Sequence, residues 1–406
     1  MASPTDEALE RAYRGSFGRL VGSLFRSNGD LQLSEDAVAS AFTSAVSAWR
    51  AGGIPEAPEA WLRVVARNHA LTALRKRSRT NTVAPEVMDG LPAEAETDDG
   101  SDVDERLALL MVCAHPAIDP RMHAPLMLQA VLGVDAARIA SVYLVPASTM
   151  GQRLSRSKAK IRDAGLRYRV PDREELPGRL QAVLQAVYGA YGLADPIADA
   201  EEDRDVALRA EAIRLVEVIT DVLPDEPEPW GLLALLRHTE SRRPGRFVDG
   251  EFVPLPAQDT RLWSPDLRVS ADDALRRAAG LGGVGRFQIE AAISAVHSAR
   301  ADRGTTDHGA LVTLYRGLLR VAPSTGATIG AAAAFLAADD VDGAVRTLGS
   351  IPSDQVATHQ PYWVCRAQID RRRGDDGAAR EAAERAIGLT ADSAVRRYLI
   401  AEWLRG

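Results

Sequence analysis

The sequence predicts an all-α protein, with two small helical domains joined by an acidic connection and a larger C-terminal helical domain. The chain has 406 residues, which favours two or three domains. Apolar residues make up 46% but aromatic residues only 5%, and the apolar positions recur mainly at helical spacing. Charge falls in blocks: residues 1–80 carry 11 Lys and Arg against 8 Asp and Glu, residues 81–106 carry 1 against 9, and residues 107–171 carry 9 against 3.

The overall composition limits the classes of protein to which this chain can belong. Two cysteines, Cys113 and Cys365, lie far apart and form no disulfide framework, so we expect a cytoplasmic protein. No stretch has the charged and apolar layout of a signal peptide or the length of a membrane span, so we expect no membrane association. The net charge of −7, with two mildly basic blocks, favours local nucleic-acid contact over a generally basic binder.

The first domain, residues 1–80, is predicted to contain three helices. An apolar stripe marks a helix over 5–26, and Asn28-Gly29-Asp30 marks a turn. Ser34 is the predicted N-cap of the second helix, with Glu35 and Asp36 complementing the helix dipole. Glycines at 52 and 53 end that helix.

The third helix, residues 60–79, separates into a packing face and a polar face. Its stretch 61–79 holds six Arg and Lys and no acid. The packing face comprises Leu62, Ala66, Ala70 and Ala73, and the other face Trp61, Asn68, Thr72 and Arg75. An aromatic ring beside an amide, a hydroxyl and cations can stack a base and hold phosphate, as single-strand binding requires. The alternative is a basic helix end that interacts only with its own dipole.

Residues 135–161 predict a helix-turn-helix with a basic second helix that Pro146 opens. Met150, Leu154 and Ile161 share the packing side of that helix. The opposite side carries Ser148, Thr149, Gln152, Arg153, Arg156 and Lys160. Short polar side chains followed by cations suit a reader of the DNA major groove. The alternative is the solvated basic face of an ordinary surface helix.

The remaining segments complete the predicted domain order. Residues 81–105 have the composition of an acidic flexible linker, residues 106–171 form the second domain, and residues 172–406 form the C-terminal domain. Residues 241–268 are predicted to be irregular. Gly-Ala pairs at 309, 343 and 377 recur every 34 residues, the period of tetratricopeptide-type (TPR) helix pairs.

No motif predicts catalysis, a metal or a cofactor. Cys113-Ala114-His115 has no second ligand pair, so a packed cysteine and a capping or core histidine are the favoured interpretation. The glycines at 282, 283 and 285 follow no strand, which argues against a phosphate loop. We therefore expect no enzymatic activity.

The order of these segments resembles the extracytoplasmic-function (ECF) sigma factors of bacterial RNA polymerase, in the subgroup with a fused C-terminal TPR-like domain. The resemblance lies in SEDAVASAFTSAVSAW (34–49), AWLRVVARNHALTALRKR (60–77) and the array from His115-Pro116 through LVPASTM to YRVP (168–171). It covers nearly the whole chain.

The resemblance implies a role for each domain. The first would bind the β′ clamp of core RNA polymerase and capture the melted −10 strand, and the second would read the −35 duplex. The β flap is a further expected contact, and the C-terminal domain would regulate, with a protein or ligand as its possible partner. The implied polymerase contacts are Glu35, Asp36, Ala39 and Thr43; the −10 contacts are Trp61, Asn68, Thr72, Arg75 and Lys76. The −35 contacts are the six polar residues of the helix after Pro146.

Two other hypotheses remain open on the residues alone. One is a stand-alone helix-turn-helix regulator with a helical sensor domain, for which the basic helix 60–79 would have no evident use. The other is a helical-repeat scaffold or an enzyme without a recognised motif, in which the basic helices would be incidental.

Overall fold

The chain divides into two compact units, Met1–Ala194 and Asp195–Gly406. The structure, a computed structural model, describes residues 4–80, 105–143, 145–166, 168, 175–193 and 203–404. Across those residues it contains twenty α-helices and one two-stranded hairpin, so the all-α prediction is confirmed. The predicted linker 81–105 lies outside the described residues except for Glu105, which begins a helix.

The first unit contains eight α-helices among its described residues. A short 3-10 turn, Pro120–Met122, precedes α5. The helices are α1 (Pro4–Asn28), α2 (Leu31–Gly52), α3 (Pro58–Thr80), α4 (Glu105–Cys113), α5 (His123–Ala130), α6 (Ala136–Val142), α7 (Ala147–Asp163) and α8 (Leu176–Leu193).

Helices α1, α2 and α3 pack on one another around an apolar core. Val21, Leu31, Val38 and Leu62 are each fully buried there. The predicted cap of α2 is wrong: α2 begins earlier, and the Asp30 carboxylate accepts the backbone N–H of Leu33 at 3.0 Å. Asp30 therefore takes the capping role that was predicted for Ser34. The Ser34 hydroxyl instead donates to the Asp30 carbonyl.

Helices α4 to α8 complete the first unit. α6 and α7 lie where the helix-turn-helix was predicted, with Pro146 as the N-cap residue of α7 and not as its first helical residue. Helix α8 packs against α4 and α5, and the Arg179 guanidinium donates to the Met111 carbonyl at 2.8 Å. The units therefore divide after Ala194, whereas we predicted that the C-terminal domain begins at residue 172.

The second unit contains twelve α-helices among its described residues. They are α9 (Asp203–Val222), α10 (Pro227–Arg242), α11 (Pro265–Gly280), α12 (Arg286–Ser298), α13 (Arg300–Arg303), α14 (His308–Val321), α15 (Thr325–Ala337), α16 (Val341–Gly349), α17 (Ser353–Val356), α18 (Gln360–Arg372), α19 (Asp376–Leu389) and α20 (Ser393–Leu404). None of the described helices is long and apolar enough to cross a membrane.

The 34-residue period coincides with helix starts. The Gly-Ala pairs lie in the first turns of α14, α16 and α19. Each of these helices has an aspartate N-cap, Asp307, Asp340 or Asp375, whose carboxylate accepts a backbone N–H of that turn. The period thus marks a recurring helix start in this part of the second unit.

The segment predicted to be irregular contains ordered structure. Strands β1 (Phe247–Val248) and β2 (Glu251–Phe252) pair antiparallel. Trp263 is buried and donates its indole N–H to Gln258. Two-residue strands carry too short an alternating pattern to be recognised in a sequence.

The glycine-rich segment 282–285 serves a packing purpose. Both oxygens of the Glu228 carboxylate accept backbone N–H groups of Phe287 and Gln288, at 3.0 and 3.1 Å, in the first turn of α12. A side chain at Gly285 would collide with Glu228. Because a carboxylate already fills the place where a helix start would bind phosphate, this segment gives no support to a phosphate site.

Candidate nucleic-acid interface

Helix α3 packs against α1 and α2 on one side and exposes its polar face on the other. Leu62, Ala66 and Ala70 are buried, as predicted. The His69 ring is hydrogen-bonded to the Ser44 hydroxyl of α2 at 3.2 Å. Arg19 of α1 pairs with Glu59 in the first turn of α3 at 2.6 Å. These contacts fix the rotation of α3 about its axis.

The five predicted −10 residues lie along one side of α3. Trp61 is half-buried and meets the buried Trp49 ring edge to face, with ring centroids 5.9 Å apart. This contact holds the indole at the base of the polar face, in a suitable position for stacking. Asn68, Thr72, Arg75 and Lys76 are exposed, and the Thr72 hydroxyl donates to the Asn68 carbonyl at 2.8 Å.

Val64 belongs to the same face and was not among the predicted residues. It is 60% exposed and lies one helical turn from both Trp61 and Asn68. An exposed valine offers apolar contact to a base or its methyl group. The available signal was its spacing, since position 64 lies between 61 and 68 on the helix surface.

Helix α7 has the two faces that were predicted for it. Met150, Leu154 and Ile161 are each about 1% exposed and form its packing face. Of the six predicted −35 residues, Thr149 is half-buried and the others are exposed. The exposed five are Ser148, Gln152, Arg153, Arg156 and Lys160. The structure therefore brings all six to one side of a single helix, along most of its length.

An open cavity of about 910 Å³ adjoins this face of α7. Arg153 and Arg156 border it on one side, and Gln181 and Gln185 of α8 border it on the other. Met122 and Tyr143 contribute apolar surface. Helix α8 thus lies close to the side chains that were predicted to read DNA.

The four predicted polymerase-binding residues of α2 differ in exposure. Asp36, Ala39 and Thr43 are exposed on one side of the helix. Glu35 is only 6% exposed because it pairs with Lys158 of α7. In this arrangement Glu35 is not accessible to a second protein, contrary to what its predicted role requires.

Burial dominates the electrostatics of this pair. Desolvation raises the pKa of the Glu35 carboxyl to about 7, although Lys158 acts in the opposite direction.

Cys113 of α4 is also fully buried, and burial raises the pKa of its thiol. The predicted packed cysteine and capping histidine are confirmed, because the His115 ring accepts the Ala117 N–H at 3.1 Å. Among the described residues no cluster of three or more His, Cys, Asp or Glu side chains could hold a metal ion.

Comparison with known families gives a match in the N-terminal part of the chain. The family described as Sigma-70 region 2 matches residues 13–80, which span α2, α3 and most of α1. This match supports a sigma-70 family sigma factor with a role in transcription initiation and in binding RNA polymerase. The sigma-70 family is not a family of enzymes.

A full-length relative extends the comparison to the whole chain. The uncharacterized protein R00370 of Rhizobium meliloti (strain 1021) is 33% identical over 387 residues, covering 93% of this chain and 91% of the relative. The chain belongs to the same family as that protein. A family of unknown function, DUF6596, matches residues 179–279, from α8 to α11. No solved structure matches the chain.

Proposed function

We propose that the protein is a sigma factor of the extracytoplasmic-function type that acts in the cytoplasm, binds core RNA polymerase and directs it to specific promoters. The match of residues 13–80 to sigma-70 region 2 carries this proposal. It gains support from the polar faces of α3 and α7, which belong to the two blocks of the chain with a net positive charge.

Each surface receives a role in this proposal. The exposed side of α2, with Asp36, Ala39 and Thr43, contacts the β′ clamp of the polymerase, while the helices after Glu105 approach the β flap. The polar face of α3 captures the unpaired −10 strand, since Trp61 can stack a base and the Asn68 amide can hydrogen-bond its edge. The second helix of the helix-turn-helix, α7, reads the −35 duplex, with short polar groups toward bases and cations toward phosphates.

The C-terminal helical unit is proposed to regulate this activity as a TPR-like domain. Recurring aspartate-capped helices at a 34-residue period support a repeat architecture. Such repeats stack into an extended surface that suits a protein or ligand partner.

The deciding experiment combines binding with transcription. We expect the full chain to co-elute with bacterial core RNA polymerase on gel filtration. The reconstituted enzyme should start transcription at a restricted set of sites on a genomic library, mapped by sequencing RNA 5′ ends. Absence of co-elution, together with binding of duplex DNA by the chain alone, would favour the stand-alone regulator.

A matched pair of variants tests the polymerase surface. Thr43→Arg should weaken co-elution, because it places a large cation on the proposed contact. Thr313→Arg in α14 is the control: both threonines are exposed, and each hydroxyl donates to the carbonyl four residues earlier. Equal binding by the two variants would exclude this side of α2 as the polymerase contact.

A further inference from the structure

The cavity between α7 and α8 has the size of a small-molecule site. Its volume is about 910 Å³, and pockets that bind small molecules usually measure about 300–1,000 Å³. Both helices belong to the same compact unit, so the cavity lies within that unit. We call it the α7–α8 cleft; Arg153 and Arg156 of α7 border it on one side, and Ala182 and Ala186 of α8 border it on the other.

The inner surface of the α7–α8 cleft is largely apolar. Among its lining residues, Met122 and Met150 are buried and Tyr143 is half-buried. Ala182 and Ala186 lie one turn apart on α8, so their small side chains share the side of that helix that faces the cleft. Methionine side chains are flexible and adapt to the shape of an apolar group. This surface therefore suits the apolar body of a ligand.

The α7–α8 cleft also carries an excess of positive charge. Asp119 is the carboxylate among its lining residues, and it accepts a hydrogen bond from Arg121 at 2.7 Å, so these two charges are paired. Arg153 and Arg156 form no ion pair within the described part of the chain; the Arg156 Nε donates to the Gln152 carbonyl at 3.4 Å. Both arginines are exposed and lie three residues apart, which places their guanidinium groups on the same side of α7.

The other polar groups of the α7–α8 cleft are uncharged at neutral pH. Burial raises the pKa of the Tyr143 hydroxyl to about 12, so the phenol keeps its proton. Burial lowers the pKa of His123, whose ring is hydrogen-bonded to the Ile118 carbonyl at 3.2 Å. The Gln181 amide of α8 is exposed at the opposite border. Because a phenol and an amide can each donate a hydrogen bond, an anion in the cleft meets donors as well as two cations.

We propose that the α7–α8 cleft binds a small organic acid, a carboxylate with an apolar body, and that this ligand competes with DNA for Arg153 and Arg156. The arginine pair holds the carboxylate through charge-assisted hydrogen bonds, and the apolar body lies against Met122 and Met150. The competition rests on the proposed function, in which the same two guanidinium groups contact phosphates of the −35 duplex. The ligand is therefore a negative effector of promoter binding.

Two larger acidic occupants fit the cleft less well. A DNA backbone would lose hydration against the apolar inner surface, so duplex contacts are confined to the exposed side of α7. Residues 81–105 of the chain carry nine Asp and Glu and no Lys or Arg. Two arginines can pair with only two of those carboxylates, and the others would lose hydration without gaining a partner. A single carboxylate on an apolar body matches both the charge and the surface of the cleft.

Calorimetric titration of the full chain measures binding directly. The probes are an aromatic acid, 2-naphthoate, and an aliphatic acid, octanoate; their neutral controls are 2-naphthol and 1-octanol. We expect saturable binding of at least one acid at one molecule per chain, and binding of its neutral control that is weaker by roughly tenfold or more, the value of a charge-assisted hydrogen bond. Failure of both acids to bind, or equal binding of an acid and its control, would overturn the proposal. So would binding of a synthetic peptide of residues 81–105 in place of either acid.

Replacement of the two arginines tests the role of charge. Arg153→Gln with Arg156→Gln should weaken binding of the acid by roughly tenfold or more. The control is Arg303→Gln with Arg346→Gln, since these two arginines are exposed on α13 and α16 of the second unit. Unchanged affinity in the first variant would place the acid elsewhere on the chain and overturn the proposal.

Filling the cleft tests the location without altering the arginines. Ala186→Phe should abolish binding of the acid, and Ala182→Leu, a smaller change that α8 tolerates more readily, should weaken it. Ala378→Phe is the control, because Ala378 of α19 is also half-buried. Full binding by both cleft variants would exclude the cleft as the place where the acid binds.

Duplex binding separates the failure of this inference from the failure of the proposed function. A saturating concentration of the acid should weaken binding of the full chain to a duplex that contains a mapped promoter, by roughly tenfold or more. In Ala186→Phe the acid should have no effect while duplex binding is retained. An unchanged duplex affinity in the unaltered chain, despite binding of the acid, would overturn the competition. Absence of both duplex binding and polymerase binding by the unaltered chain would overturn the proposed function, whereas the calorimetric result on the cleft would still decide the binding of the acid.

Discussion

The two helices that we assign to DNA reading, α3 and α7, are held in the fold by different chemistry. The packing face of α3 is uncharged, with Leu62, Ala66 and Ala70 buried against its neighbours. The packing face of α7 includes a buried lysine whose carboxylate partner lies 123 positions away in the sequence. Burial of an apolar face stabilises a contact directly. In a buried ion pair, the attraction between the charges is offset by the loss of their hydration, so the net contribution to the contact is small. We infer that the contact of α7 with α2 depends on the charges of its two buried partners, whereas the packing of α3 does not.

The largest expected effect concerns the packing of α3. Leu62→Ala removes a fully buried side chain and should lower the local stability of α3 by about 2–5 kcal/mol. Hydrogen exchange of the α3 amides measures this loss. Val64→Ala on the same helix is the control, since an exposed side chain should change stability by less than about 0.5 kcal/mol. Equal effects of the two changes would mean that an apolar core does not hold α3.

The contact between α2 and α7 should depend on pH. The raised pKa of Glu35, about 7 in the folded chain against an ordinary value of 4.5, means that the carboxyl is protonated more readily when it is buried in this contact. Its contribution to the contact is therefore fully present below about pH 4.5 and is lost as the pH rises through 7. The largest change is roughly 3 kcal/mol, at about 1.4 kcal/mol per pKa unit.

The measurement is hydrogen exchange of the α7 amides from pH 5 to pH 8, with a decrease of protection expected after correction for the intrinsic pH dependence of exchange. Lys158 of α7, Asp36 of α2 and Cys113 of α4 are the charged or ionisable groups that act on Glu35 or share its surroundings. Glu35→Gln should remove most of the dependence. If the dependence persisted in that variant, another group would control the stability of the contact.

Strand capture should require the exposed face of α3. Trp61→Ala should weaken promoter opening by about 1–3 kcal/mol, the usual cost of losing a stacking ring. Asn68→Ala should act in the same direction while leaving −35 duplex binding unaffected. Permanganate reactivity of unpaired thymines in the mapped promoters reports opening. Trp230→Ala is the matched control because Trp230 is also half-buried but lies in α10; the same loss of opening in both tryptophan variants would contradict a role of α3.

The smallest expected effect concerns duplex binding by α7. Arg153→Ala and Arg156→Ala should each reduce the slope of log affinity against log salt by about 0.9, the contribution of one phosphate contact. Arg346→Ala, at an exposed position of α16, should leave the slope unchanged. An identical slope in all three variants would exclude phosphate contact by the two arginines of α7.

The sequence predicted local features well because they follow from the spacing of residues on one helix. The packing faces of α3 and α7 illustrate this, since a period of 3.6 residues places Met150, Leu154 and Ile161 together. The N-cap of α2 was misassigned because Asp30 and Ser34 are both good caps, and only the backbone conformation distinguishes them.

The pairing of Glu35 with Lys158 could not be predicted from either helix alone, because it depends on how two distant helices pack. A partial signal was nevertheless present. Lys158 lies on the apolar stripe of α7 between Leu154 and Ile161, and Glu35 lies on the stripe of α2 between Leu31 and Val38. Opposite charges on two apolar stripes indicate a buried pair, since an unpaired charge is rarely buried. The packing of α8 on α4 and α5 likewise depends on distant parts of the chain, and its partners cannot be identified from the pattern of α8 alone.

The most direct test of the whole account is a titration of the full chain with core RNA polymerase, followed by gel filtration. The account predicts saturable co-elution at one chain per polymerase, because the region that matches sigma-70 region 2 provides the polymerase contact. Absence of co-elution at any ratio would contradict it.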